Sequence, residues 1–277
     1  MATDAGPRRF DWKGFLILCG IYVAVALLWE TEAVLPLKLL VVLLHEASHG
    51  IAAVLTGGRV VEMQVGLDQG GHCVTDGGIE FVVISAGYLG SLVAGVTLLL
   101  VATRTRFAPH VAALLGALLA ILAFRFMPHW GFGRGFALFA GLVLAALALF
   151  PPAVASHALR VIGVTSCLYV FLDIKHDVLD RDHPASDASR LAEITRPSAF
   201  LWGILWMGIS LVAIGLAAKW AVTGPAPASA APAPSCGAPM ASAAHCAWTL
   251  PKRRSDADRN TYISLASAGG AHDLEGG

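Results

Sequence analysis

Two histidines four residues apart, with a glutamate directly after the first, lie inside a greasy stretch of chain: His45-Glu46-Ala47-Ser48-His49. On a helix this spacing turns both imidazoles to one side, and Glu46 can reach a water held by the metal they bind. The flanks are Leu39-Leu40-Val41-Val42-Leu43-Leu44 and Gly50-Ile51-Ala52-Ala53-Val54-Leu55. Three ionisable side chains in hydrocarbon are costly, so their presence points to function. The chemistry they fit is hydrolysis by water on a divalent cation, zinc in the first instance, with Glu46 as general base and then general acid.

Catalytic zinc usually takes three protein ligands and keeps a fourth position for water, so the two histidines need a partner. The segment Leu168-Tyr169-Val170-Phe171-Leu172-Asp173-Ile174-Lys175-His176-Asp177 offers one. Asp173 ends an apolar helix and lies deepest, which makes it the expected third ligand. Asp177, one turn on, is the alternate ligand or an acceptor that orients a histidine. His176 reads as an interfacial side chain. His72, His110, His129 and His157 lack ligand spacing, and Ser85 and Ser91 lack the His/Asp pattern of an activated nucleophile. Cys19, Cys73, Cys167, Cys236 and Cys246 contain no C-x-x-C pair, so neither a Cys-rich zinc site nor a disulfide scaffold is indicated.

The elements that must position these groups are membrane helices. Of 277 residues, 56% are hydrophobic and 14% charged, against about a quarter charged in soluble domains. A formal net charge of +0 speaks against nucleic acid as a partner. The expected partners are the lipid bilayer and a membrane protein substrate. Apolar runs near spanning length cover about 14–30, 34–56, 80–102, 109–126, 134–150, 153–172 and 199–219. The expected fold is mainly α, a polytopic transmembrane helical bundle of six or seven spans. The run ending at Phe150 is short and stops at Pro151-Pro152, as a re-entrant piece or half of a broken helix does. Residues 1–33 form the N-terminal flank and first anchor, 34–220 the membrane-embedded core, and 221–277 an Ala/Pro-rich tail expected to be disordered.

Arg8, Arg9 and Lys13 precede the first run, and Trp12 and Trp29 bracket it, which fits a retained anchor better than a cleaved signal. Counting seven crossings from a cytoplasmic N-terminus places the metal site nearer the cytoplasmic face and Arg104 and Arg106 on the opposite one. The Ala- and Gly-rich, short-looped style favours a bacterial inner membrane. Between the second and third runs, Val61, Met63, Val65 and Leu67 alternate with polar or small residues and Gly70-Gly71 signals a turn, so a small β-hairpin follows the metal helix. Its free edge could hold an extended peptide, or it could be a simple surface connection. The polar stretch from Lys175 to Pro197 is a surface loop with a short helix at 186–194, where Ser186 or Asp187 could cap. Gly87, Gly90 and Gly95 read as helix-packing glycines.

These residues resemble the peptidase M50B-like branch of the site-2 protease family. The resemblance rests on 45–50, the hairpin with Gly70-Gly71, Ala86-Gly87-Tyr88-Leu89-Gly90 and 173–177. It extends to Ser186-Asp187-Ala188, Leu191-Ala192-Glu193-Ile194-Thr195 and Pro197, and spans about 36–219. It implies an intramembrane zinc metallopeptidase with His45 and His49 as ligands, Glu46 as catalytic acid/base and a later aspartate as third ligand. The Asn-Pro-Asp-Gly or Leu-Asp-Gly motif that supplies this aspartate in site-2 proteases proper is missing, since Ile174 follows Asp173. No PDZ-like insertion is present. Two other functions use the same residues: a membrane carrier for metal or small solutes, and an inactive scaffold that retains membrane clients.

Overall fold

The computed structural model describes residues 9–175 and 186–224. A short strand, β1 (Arg9–Phe10), leads into α1 (Trp12–Leu27). Asp11 starts that helix by accepting the Gly14 N–H at 3.0 Å. α2 (Leu35–Leu55) carries the His-Glu-x-x-His segment and begins with a proline in its first turn, where a missing N–H costs no hydrogen bond. The hairpin follows as β2 (Arg59–Val65) and β3 (Gly71–Asp76), paired antiparallel. Met63 and Val65 are buried as the alternation demands, but Val61 is exposed. A register shift between Val60 and Glu62 accounts for this, because a bulge takes one residue out of the alternation.

The remaining helices are α3 (Glu80–Arg104), α4 (Ala108–Phe126), α5 (Phe132–Ala146), α6 (Pro152–Lys175), α7 (Asp187–Ile194) and α8 (Ala199–Val222), which runs into β4 (Thr223–Gly224). α5 tightens into a 3₁₀ turn, Leu147–Leu149, before the two prolines. Together they make one apolar element of 18 residues, long enough to span. Six elements are long and apolar enough to cross a membrane: α2, α3, α4, α5 with its 3₁₀ turn, α6 and α8. Large apolar side chains such as Leu114, Phe139, Leu142, Leu211 and Val212 point outward, as expected of helices whose solvent is lipid. With the family identity given below, this is a multi-pass membrane protein.

Inside the bundle, small residues let backbones approach. A Cβ on Gly95 of α3 would lie 2.9 Å from the Ser166 Cβ and 3.1 Å from the Gly163 carbonyl of α6. The Ser166 hydroxyl donates across the same contact to the Ser91 carbonyl at 2.8 Å. In lipid, where burial of apolar surface gives helices no reason to associate, such packing and interhelical hydrogen bonds hold the bundle. The α3/α6 pair is the frame against which the metal-bearing α2 is laid.

The two ends of the described core meet. β1 pairs with β4, the Asp11 N–H donates to the Val222 carbonyl at 2.7 Å, and the Arg104 guanidinium bonds the carbonyls of Trp220 and Thr223. The start of α1, the end of α3 and the end of α8 therefore share one face. From the end of α3, crossings by α4, α5, α6 and α8 return to that face, while α3 itself leads back to the hairpin and the end of α2 on the other. Hence α1 and α2 together make a single crossing. With only 16 residues, α1 is shorter than the roughly 17 that a span requires, so six described elements have spanning length, within the expected six or seven. One expectation is corrected: Arg104, bonded to the end of α8, shares the face of the start of α1. In a background without native cysteines, Arg106→Cys and Asp68→Cys should react with an impermeant maleimide from opposite sides of sealed vesicles. Labelling of both from one side would contradict this topology.

Candidate metal centre

His45 and His49 lie one turn apart on α2, and their rings stand 4.8 Å apart, edge to face. The group that closes on them is Asp187. Its Oδ2 lies 3.2 Å from His45 Nε2 and 3.2 Å from His49 Nε2. These three residues form the one cluster of potential metal ligands among the described residues, with all donor atoms within 4.8 Å of one another. Asp187 enters from α7, whose N-cap is Ser186: the Ser186 Oγ accepts the Ser189 N–H at 3.2 Å. Because Ser186 caps, the adjacent Asp187 carboxylate is free to turn inward. α7 is held by Ala188 and Leu191, both buried with Tyr88, Ile174 and Trp206.

Asp173, the expected third ligand, lines the same cavity, and its charge acts on His45, but it stays outside the ligand cluster. It belongs to the last turn of α6, whereas the aspartate on the following short helix reaches between the imidazoles. Asp177 and His176 lie outside the described residues. Glu46 is buried and lines the cavity beside His45 and His49. His72 also lines it, so this histidine is part of the site's wall and not a remote surface group.

The donor set fits a cation. His49 Nδ1 lies 2.7 Å from the Val83 carbonyl; a carbonyl only accepts, so Nδ1 carries the hydrogen and the neutral ring's Nε2 presents a lone pair. That lone pair faces the Asp187 Oδ2, itself buried and without a hydrogen-bond partner. Two acceptors 3.2 Å apart repel unless a positive centre lies between them. Bonds of about 2.0–2.1 Å in a tetrahedron place neighbouring ligand atoms roughly 3.3 Å apart, close to the separations observed.

Two glycines make room for this centre. A Cβ on Gly87 of α3 would lie 2.5 Å from His45 Nε2 and would also collide with the Asp187 Oδ2, so this residue does more than pack helices. It keeps the space between the ligands open. A Cβ on Gly71, at the start of β3, would lie 2.5 Å from Glu46 Oε1 and 2.8 Å from Val42 Cγ1, so the hairpin backbone lies directly on the glutamate. Next along the strand, Cys73 is pushed up to about 12 by burial and by the nearby Glu46 charge, which leaves it a neutral thiol. The cavity holding these groups has a volume of about 1000 Å³. The edge of β3 forms one wall and the start of α7 another.

A family model described as Peptidase M50B-like matches residues 18–217. No curated protein and no solved structure matches the chain significantly.

Substitution separates the two aspartates. Asp187→Ala should weaken zinc binding by at least about tenfold, the scale of disruption around metal ligands, while Asp173→Ala should cost less; the reverse order, read by metal content after dialysis, would restore Asp173 as the ligand. Gly87→Ala should also lose zinc, whereas Gly20→Ala, where nothing lies within 4 Å of the added Cβ, should keep it. Full zinc retention in Gly87→Ala would remove the cradle from the account.

Proposed function

The chain belongs to the Peptidase M50B-like family, and on that premise we propose that it is an intramembrane zinc metallopeptidase. In this reading it hydrolyses peptide bonds in membrane-embedded or membrane-proximal segments of another membrane protein, in a bacterial inner membrane. The supporting observation is the meeting of His45, His49 and Asp187 around one buried point with Glu46 beside it. His45, His49 and Asp187 would hold the ion. Zinc bound there would supply Lewis acidity and bring the pKa of water towards neutrality.

The remaining work falls to the chain itself. Glu46 accepts a proton from the attacking water and delivers it to the departing amide nitrogen, so that water is divided between a new carboxylate and a new amine. Its own position is fixed by Gly71, which lets β3 cover it, and by Val42 one turn earlier on α2. The Val83 carbonyl keeps His49 in the tautomer whose Nε2 is available for the ion. A helix shields its own carbonyls, so the substrate must be extended at the scissile bond. The outer edge of β3 along the cavity offers backbone groups to such a strand.

This reading assigns Glu46 to proton transfer and not to metal retention. Glu46→Gln should therefore keep its zinc while cleavage of a model membrane substrate in proteoliposomes falls by ~10²–10⁴-fold, the usual contribution of a general acid/base. Unchanged cleavage would sink the mechanism. Zinc passage into vesicles that survives the substitution would favour a carrier.

A further inference from the structure

Beyond the hydrolytic groups, the cavity wall carries three charged residues that the mechanism leaves unused, Glu80, Asp173 and Arg190, and the first and last are exposed. Arg190 lies on α7 and Glu80 on the first turn of α3, and both line the cavity while remaining exposed. Among the described residues the ion pairs are Arg59–Asp76 and the two histidines with Asp187, so neither Arg190 nor Glu80 is neutralised by a salt bridge there. Arg190 is one turn from Asp187 yet leaves that carboxylate to the imidazoles. Ala188 and Leu191 are buried on the inner face of α7, which leaves Arg190 facing the opening.

The two residues stand on different walls at comparable reach from the centre. Arg190 is three residues from the ligand Asp187, and Glu80 is three residues from Val83, whose carbonyl fixes His49. One helical turn is about 5.4 Å, and an extended chain advances about 3.3 Å per residue. Each charge is thus about one helical turn along its own element from a residue of the centre. The cavity wall runs along β3 to Gly77, Gly78 and Glu80, and Arg190 of α7 lines the same cavity. Asp173, partly buried in the last turn of α6, stands outside this pair.

We propose that Arg190 and Glu80 form a polar collar that selects and orients an extended peptide carrying an acidic residue on one side of the scissile bond and a basic residue on the other. The proposal rests on the peptidase reading and names its substrate class: a charged, membrane-proximal stretch with a fixed order of charges, not a uniformly apolar helix. Arg190 binds the substrate carboxylate with its planar fork, and Glu80 accepts from the substrate's Lys or Arg. Charge pairs at such a rim discriminate between partners through attraction in one order and repulsion in the other.

Binding can be measured without turnover on zinc-loaded full-length Glu46→Gln protein in detergent. The probes are short fluorescent peptides of one apolar core, flanked by neutral residues, by Lys then Asp, or by Asp then Lys. One charge order should bind about tenfold more tightly than the other and than the neutral peptide. Arg190→Gln should remove the preference at the acidic end only, Glu80→Gln at the basic end only, and Arg190→Glu combined with Glu80→Lys should invert the order. Arg190→Lys keeps the charge and should keep most of the preference, and zinc content reports the fold of every variant. Equal binding of all three peptides, or a preference that survives both glutamine variants, overturns the collar. Wild-type cleavage assays separate the two ideas: cleavage without charge preference sinks the collar alone, and charge-ordered binding without cleavage sinks the peptidase reading.

Discussion

Two imidazole nitrogens and one carboxylate oxygen converge at 3.2 Å in a buried place, and the carboxylate oxygen has no hydrogen-bond partner of its own. Such a convergence fits a bound cation. The rest of the structure serves that convergence. α2 supplies the pair of rings, the Val83 carbonyl of α3 fixes one tautomer, and α7 brings in the acid after Ser186 has capped the helix. Such a group would be costly in hydrocarbon without its ion, which makes metal binding and local stability one question.

Close backbone approach is the second theme. Gly71 and Gly87 sit where any side chain would enter the catalytic space, one against Glu46 and the other against His45 and Asp187. Gly95 and Gly163 do the same for the α3/α6 frame. A bilayer gives helices little hydrophobic reason to associate, so contact quality decides the packing. The same small residues therefore serve stability in one place and access in another. The hairpin is the part of the site that is not helix. It is tolerated because its inner face, Met63 and Val65, is buried on the bundle and its open edge lines a cavity.

Much of this was legible in the sequence. The apolar runs gave the helices to within a few residues, because long uniform hydrophobicity leaves little choice. Alternation between Val61 and Leu67 located β2, although the bulge between Val60 and Glu62 turned Val61 outward. His45, Glu46 and His49 were legible because their spacing alone places them on one helical face. Which acid meets the two histidines was not. Asp173 stands at the end of an apolar helix, where a deep acid is expected, while Asp187 sits in a polar stretch and looks like a helix cap. Only tertiary packing, with Ala188 and Leu191 buried against Tyr88 and Trp206, turns it inward. The place of Arg104 was not legible for a related reason: the pairing of β1 with β4 brings together segments whose local sequences carry no sign of each other.

The central claim is that His45, His49 and Asp187 close the shell of one zinc ion. X-ray absorption at the zinc edge, on purified full-length protein loaded with one equivalent of zinc, tests it most directly. The account predicts a four-coordinate ion with two imidazoles and oxygen ligands, all at about 2.0–2.2 Å. Sulfur scattering at about 2.3 Å, which would implicate Cys73, or a spectrum of hydrated ion without imidazole, would contradict it.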